Sequence, residues 1–198
     1  MNSKIESTES KKESKKKLII VHGWTGSPDR DWLPWLKSEM EKKGWEVVAP
    51  TLPNTNNPKL HEWLQSLTQV SGEVDEATYI IGHALGCITT LRFLENLSEG
   101  KSIGGAVLVA GFDNPLNHKE LDNFFESPIN WGKARSKSKE FVIIHSEDDP
   151  VVPADNGLRY KSYLGGKRIL VNDYGHFAEK YGITALPLVL QELLEISK

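Results

Sequence analysis

Six short apolar runs, separated by longer amphipathic stretches, constrain the fold of this chain more than any other feature of its sequence. The runs are rich in valine and isoleucine, and most of them lack alternating polar residues, which is typical of strands buried on both faces of a parallel sheet. The pattern predicts strands over residues 18–22, 46–50, 78–82, 105–110, 141–145 and 168–171.

Helical periodicity fills the intervals between these runs. It predicts helices over residues 32–43, 58–70, 85–97, 153–163 and 177–196. Strands that alternate with helices indicate an α/β domain, with a doubly wound, mostly parallel six-stranded sheet flanked by helices. Right-handed crossovers then place the loops after the strands along one edge of the sheet, where we expect the functional residues.

The N-terminal residues 1–17 are almost all serine, lysine, glutamate and threonine, which predicts a disordered charged tail. Residues 18–198 then form one domain, a length that suits a single core. The net charge of −3, with both signs mixed, argues against nucleic acid as a partner. No apolar run approaches the roughly 18 residues that span a bilayer. A membrane or polyanion contact through Lys11 to Lys17 is the alternative, but glutamates dilute this charge, and we expect no membrane contact. The N-terminus also lacks a secretion signal, and we expect a cytoplasmic protein.

One connection is longer than the others. Residues 111–139 separate two predicted strands and carry asparagine, proline, glycine and scattered aromatic residues. A long insertion after a strand of a compact domain is usually functional. We therefore predict a small cap over the active-site edge of the sheet.

A strand, a sharp turn and a helix meet at the segment Gly82-His83-Ala84-Leu85-Gly86. Two glycines four residues apart, placed in this order of elements, are typical of the nucleophile elbow G-x-S-x-G of the α/β-hydrolase fold. The turn strains its central residue, and its flanks must be small so that strand and helix pack closely. The nucleophilic serine belongs at position 84, where this chain carries alanine.

The loops after three other strands supply the remaining groups of a hydrolase site. The first strand ends in His22-Gly23-Trp24, and the backbone N–H groups of Trp24 and Leu85 are the predicted oxyanion hole. The fifth strand is followed by two candidate acids, Asp148 and Asp149, and the sixth by the candidate base His176. Nucleophile, acid and base follow one another in the chain order of this fold.

These motifs together resemble the small serine hydrolases of the retinoblastoma-binding-protein type and their bacterial relatives. The resemblance spans residues 18–196 and rests on the elbow, on Phe125-x-x-Pro128-x-x-Trp131, on Asp148-Asp149-Pro150-x-x-Pro153 and on Gly175-His176-Phe177. It implies the α/β-hydrolase fold, with Asp149 as the triad acid and His176 as the base. The family has serine where Ala84 stands. The retinoblastoma-binding motif L-x-C-x-E is absent, so no partner of that kind is implied.

Several residues near these motifs have alternative interpretations. Trp24, His83, Phe125 and Trp131 are the predicted walls of an apolar substrate pocket, although the aromatic residues would also suit the core. Cys87 lies one helical turn past the elbow and is interpreted as a buried structural thiol rather than a nucleophile. The histidines have no metal-ligand spacing, and the glycines do not match a dinucleotide motif, so we expect neither metal nor cofactor.

Two functions from different classes fit this pattern. The first is a carboxylesterase-like serine hydrolase, acting on a small-molecule ester, whose chain here carries a Ser-to-Ala change at position 84 and is inactive. The second is a natural pseudo-hydrolase that binds a ligand or a partner without turning it over. The acid, the base and both elbow glycines are retained, which favours the first. A nucleophilic aspartate is excluded because Ala84 has no carboxylate. We expect a monomer or a weak dimer.

Overall fold

The computed structural model describes residues 15–198, and its centre is one parallel sheet. The strands are β1 (Lys17–Val21), β2 (Glu46–Val48), β3 (Thr78–His83), β4 (Ile103–Val109), β5 (Ser138–Ser146) and β6 (Lys167–Val171). Their order across the sheet is β2-β1-β3-β4-β5-β6, and every neighbouring pair is parallel. The predicted six-stranded α/β-hydrolase sheet is confirmed.

Helices cover both faces of this sheet. They are α1 (Leu33–Lys42), α2 (Leu60–Ser71), α3 (Leu85–Asn96), α4 (Trp131–Ser136), α5 (Asn156–Leu164) and α6 (Pro187–Ile196). Alternate side chains of β1 divide between the two core layers. Ile19 and Val21 belong to the core layer that includes residues of α2, α3, α4 and α5, while Leu18 and Ile20 belong to the layer that includes residues of α1 and α6. The four central strands are therefore buried on both faces, as their continuous apolar runs predict, whereas the edge strands β2 and β6 are only partly buried.

The first strand begins one residue earlier than the predicted domain boundary. The backbone of Lys17 is in register with Glu46 and Thr78, and its Nζ donates to the carbonyls of Ser71 and Glu73 at 3.0 Å. Lys17 therefore belongs to the sheet and not to the predicted tail. Residues 1–14 of that tail lie outside the described residues.

The last predicted helix, over residues 177–196, is wrong in its first half. A short 3-10 helix covers Glu179–Tyr181, and Gly182 then ends it in the left-handed conformation with φ 82°. The α-helix begins only at Pro187, where the missing proline N–H costs nothing because the first N–H groups of a helix have no partner inside it.

Most of the insertion predicted as a cap packs against the domain, although His118 also packs on Trp24 beside the cavity, with ring centroids 4.8 Å apart. Between β4 and β5 lie a 3-10 helix (Lys119–Phe124) and α4. The guanidinium of Arg92, on α3 and 4% exposed, donates to the carbonyls of Phe124, Ser127 and Pro128. Phe124 itself is fully buried in the core. The segment lies against α3 because its backbone carbonyls are bound there.

No helix among residues 15–198 is long and apolar enough to cross a membrane.

Candidate active site

The turn between β3 and α3 has the strained backbone that the sequence predicts. Ala84 adopts φ 51° and ψ −115°, a conformation that residues with a side chain rarely take. Its backbone N–H donates to the carbonyl of Val109 at 2.9 Å, which fixes the turn against the end of β4. Ala84 also lines a cavity of about 350 Å³. The position predicted for the nucleophile thus faces a space that a small molecule can enter.

Close packing explains the glycines on either side of this turn. A Cβ on Gly86 would lie 2.1 Å from the carbonyl oxygen of Val21. A Cβ on Gly82 would lie 2.7 Å from the carbonyl oxygen of Gly86. Neither position accepts a side chain without moving backbone, so both glycines are required for helix α3 to approach the sheet.

An acid and a histidine meet in the loops after β5 and β6. Nδ1 of His176 lies 2.8 Å from Oδ2 of Asp149, whose side chain is only 1% exposed. The other carboxylate oxygen of Asp149 accepts the N–H groups of Val151 at 2.8 Å and Val152 at 3.0 Å. The carboxylate is therefore fixed by its own turn. Since Nδ1 of His176 carries the proton in this bond, Nε2 is left as the basic nitrogen.

The neighbouring acid, Asp148, has different contacts. It accepts hydrogen bonds from the hydroxyl of Ser146 and from the N–H of Gly175, the latter at 3.2 Å. The hydrogen bond from Ser146 is the main reason that the pKa of Asp148 lies below its ordinary value. Asp148 therefore shapes the loop before His176, while Asp149 is the acid that touches the imidazole.

The loop after β1 is held firmly next to the elbow. The ring of His22 accepts the N–H of Leu52 at Nε2, 3.1 Å away, and its Nδ1 lies 2.8 Å from the carbonyl of Gly23. Gly23 packs directly on the elbow, since a Cβ there would lie 3.2 Å from Cβ of Ala84. Trp24 follows it and lines the cavity.

The two predicted oxyanion donors lie on either side of this contact. Leu85 is the first residue of α3, where a backbone N–H has no acceptor within the helix. Trp24 precedes Thr25, whose N–H donates to the carbonyl of Thr55 at 3.0 Å and so anchors the loop. Both N–H groups belong to backbone that is fixed before any ligand binds.

The cavity beside Ala84 is walled by the loops after β1, β3 and β6. Its lining includes His83 and His176, and also four charged residues that the sequence analysis missed: Arg30, Asp31, Glu179 and Lys180. A carboxylate oxygen of Asp31 accepts the N–H of Glu179 at 2.8 Å, which joins the two loops. Asp31 and Glu179 are more than 140 positions apart in the chain, so no local sequence pattern predicts that they line the same cavity.

Two predicted pocket residues lie elsewhere. The ring of Trp131 stacks on Tyr163, with centroids 4.8 Å apart, and meets the edge of Tyr160. Phe125 packs on Phe112, with centroids 6.0 Å apart. No residue of the 111–139 segment lines the cavity beside Ala84. Phe125 contacts an aromatic residue of the same insertion and Trp131 contacts two of α5, so neither lines the cavity as predicted.

The sequence model of one family, described as serine hydrolase, matches residues 18–195 of this chain. The chain belongs to the serine hydrolase family. This serine hydrolase family member is 34% identical, over 179 residues, to YdeN of Bacillus subtilis (strain 168), covering 90% of this chain and 94% of that protein. It is 25% identical to the serine hydrolase RBBP9 of Rattus norvegicus, with 80% of each chain covered.

Solved structures agree with this assignment. The B. subtilis ydeN gene product superposes with a TM-score of 0.87 at 33% identity, covering 91% of the family member described here and 98% of that chain. Est1E from Butyrivibrio proteoclasticus superposes with a TM-score of 0.72 at 14% identity, covering 93% and 89% of the two chains, and so shares the fold.

Cys87 of this serine hydrolase family member is not placed to act as a nucleophile. Its thiol is fully buried and lies 3.1 Å from the carbonyl of Gly82 and 3.2 Å from that of Val109. Burial raises the pKa of Cys87 well above its ordinary value, which disfavours the reactive thiolate. The contacts agree with the interpretation of Cys87 as a structural thiol.

Three histidines near the site are buried. Burial lowers the pKa of His22, His83 and His145. Nε2 of His145 lies 2.8 Å from the carbonyl of Gly111, so this ring binds backbone at the end of β4. Within residues 15–198, no group of three or more histidine, cysteine, aspartate or glutamate residues is arranged to hold a metal ion.

Proposed function

We propose that this chain is an inactive form of an esterase-type serine hydrolase, in which Ala84 stands at the position of the nucleophilic serine of a Ser-Asp-His triad. One observation carries the proposal: the buried Asp149 binds Nδ1 of His176, and His176 and Ala84 line the same cavity. An acid that orients a histidine beside an elbow residue is the arrangement that activates a hydroxyl for attack on a carbonyl.

With serine at position 84, each retained group has a definite role in ester hydrolysis. Nε2 of His176 takes the proton of the hydroxyl as its oxygen attacks the ester carbonyl, and Asp149 stabilises the imidazolium that forms. The N–H groups of Trp24 and Leu85 receive the oxyanion of the tetrahedral intermediate. His176 then protonates the leaving alcohol. Water, activated in turn by His176, releases the acid from the serine.

The cavity favours a small ester over a long-chain one. Its volume is about 350 Å³, and its lining includes Arg30, Asp31, Glu179 and Lys180, with Trp24 as its one predicted aromatic side chain. A wall with charges of both signs suits a short substrate that has polar groups of its own. We therefore propose small polar esters as the substrate class.

Restoring the hydroxyl is the direct experiment. We expect Ala84→Ser to hydrolyse p-nitrophenyl acetate and to react with a fluorophosphonate probe, because loss of a triad serine costs a factor of about 10⁶ in kcat. Ala84→Gly is the matched control, since it changes the same position without adding a hydroxyl. If Ala84→Ser neither hydrolyses the ester nor takes the label, the catalytic proposal is wrong.

The alternative function is a natural pseudo-hydrolase that binds a ligand without turning it over. The observation that favours it is Ala84 itself, in a cavity that is otherwise formed. Binding of short esters or of their acids to the unaltered chain, measured by calorimetry, combined with an inactive Ala84→Ser variant, would support this alternative.

We propose a cytoplasmic monomer or weak dimer that works on a small molecule and contacts neither nucleic acid nor membrane. The mixed surface charge, with a net value of −3, supports this view. Sedimentation velocity at several protein concentrations tests the oligomeric state.

A further inference from the structure

The loop that carries His176 is strained and needs external support. Phe177 is fully buried with φ 52°, and Asp173 has φ 66°, so two residues with side chains adopt the left-handed region within five positions. Such conformations cost free energy and persist only where surrounding contacts impose them.

Contacts from three other parts of the chain hold the backbone of this loop. The hydroxyl of Ser146 and the carboxylate of Asp148 accept its first N–H groups, at Tyr174 and Gly175. Asp31 accepts the N–H of Glu179 at its far end, 2.8 Å away. The base itself lies between these two anchors, where a third contact is made.

That third contact comes from His83, in the elbow. Nε2 of His83 lies 3.0 Å from the backbone carbonyl oxygen of His176, and the two rings are 5.2 Å apart. A carbonyl only accepts, so Nε2 of His83 carries the proton and donates it. The elbow thus touches the base through a side chain adjacent to position 84.

The ring of His83 is neutral at ordinary pH. Burial, together with the nearby His176, lowers the pKa of His83 to about 4, although the carboxylates of Asp31 and Asp149 oppose this shift. The edge of Trp32 packs on the other side of the ring, with centroids 5.9 Å apart. A neutral donor can hold the loop without repelling the imidazolium that His176 becomes during catalysis.

We propose that His83 is a positioning residue: by donating to the carbonyl of His176, it fixes the base beside position 84. This inference rests on the proposed function, since it assigns His83 a part in bringing the base to a serine hydroxyl. It differs from a substrate-wall role, because the hydrogen bond that matters is made to the protein and not to the ester.

Kinetics of paired variants test the inference in the Ala84→Ser background. His83→Gln keeps an amide donor of similar reach, whereas His83→Met keeps the volume and removes the donor. Displacing a catalytic group by about 1 Å can cost up to about 100-fold. We therefore expect His83→Met to lower kcat at least about tenfold with KM within about twofold, and His83→Gln to stay within about threefold of its parent. His61→Met, on the exposed face of α2, is the control.

A spectroscopic experiment uses the unaltered chain, with Ala84 in place. The proton between Nδ1 of His176 and Asp149 gives a downfield imidazole resonance. We expect this resonance to persist in His83→Gln and to broaden or disappear in His83→Met at the same pH and temperature. His83→Asn, whose shorter amide does not reach the carbonyl, should behave like His83→Met and replaces it if that variant does not fold.

Other outcomes overturn the inference. Equal kcat values and equal resonances in the Gln and Met variants would show that the donor is not needed. A rise in KM at constant kcat would make His83 a substrate contact. If Ala84→Ser is inactive, the proposed function fails, and the resonance experiment alone still decides whether His83 holds the base.

Discussion

His176 and Asp149 are 27 positions apart in the chain, yet Nδ1 of one lies 2.8 Å from Oδ2 of the other. Asp148, one residue earlier, bonds to Ser146 and Gly175 instead. Two adjacent carboxylates are thus divided between two tasks: one orients the imidazole, and the other shapes the loop that carries it.

This division predicts unequal effects of two matched substitutions in the Ala84→Ser background. Asp149→Asn should lower kcat by a factor of about 10⁴, because an amide favours the wrong tautomer of His176, whereas Asp148→Asn should cost less than about tenfold. Steady-state hydrolysis of p-nitrophenyl acetate by the two variants provides the measurement. Equal losses, or a larger loss at Asp148, would contradict the assignment of Asp149.

A second prediction concerns Trp131, which lies against Tyr160 and Tyr163 rather than in the cavity. Trp131→Ala should lower the free energy of unfolding by about 2–4 kcal/mol, because the substitution removes a partly buried aromatic side chain. Urea denaturation measures this loss. In the Ala84→Ser background the preference between acetate and longer acyl esters should stay the same, and a shift toward longer chains would return Trp131 to the pocket.

A third prediction tests the close approach of α3 to the sheet. Gly86→Ala should destabilise the protein by about 3 kcal/mol or more, since the new Cβ would meet the carbonyl oxygen of Val21 and force backbone to move. Gly132→Ala in α4 is the control: its Cβ would find no atom closer than 3.8 Å, and alanine is the better helix former. Thermal melts compare the two. Similar melting temperatures would refute this account of the elbow.

The buried histidines predict a loss of stability in mild acid. Burial holds the pKa of His22, His83 and His145 below the ordinary value, so the unfolded chain binds protons first as the pH falls. The free energy of unfolding therefore has its full value above about pH 7. It declines toward about pH 4, by at most about 1.4 kcal/mol per pH unit for each histidine. The pKa values of Asp113 and Asp148 are also lowered, so protonation of these two carboxylates lowers the free energy of unfolding further at more acidic pH.

Urea midpoints at about pH 7.5 and about pH 5 measure this decline, and His83→Gln should make it shallower because one of the three titrating groups is gone. An unchanged or higher midpoint at the lower pH would contradict the prediction.

The sheet was predictable because strands that are buried on both faces appear in the sequence as continuous apolar runs. Chain order and strand ends also predicted that Ala84, Asp149 and His176 lie near one edge of the sheet, since parallel crossovers bring such loops together. The last helix was predicted to begin at residue 177 but begins at Pro187, because an amphipathic pattern does not distinguish a helix from a loop that packs on the same face.

The cavity wall was not predictable from local patterns. Arg30 and Lys180 lie on loops that meet only because Asp31 binds the backbone at Glu179. The contact of Trp131 with Tyr163 was not predictable for a related reason: an aromatic residue in an insertion needs a partner, and the sequence does not indicate which one. Contacts between distant loops depend on side-chain packing, which strand and helix periodicity does not describe.

Arg92, buried beneath the 111–139 segment, has a consequence for the way a ligand reaches position 84. Its guanidinium binds three carbonyls of that segment, so lifting the segment would leave a buried charge without those acceptors. A ligand entering the cavity meets walls from the loops after β1 and β6 instead. Association should then be a single step whose rate rises in proportion to ligand concentration, without the plateau that a slow opening of the segment would impose.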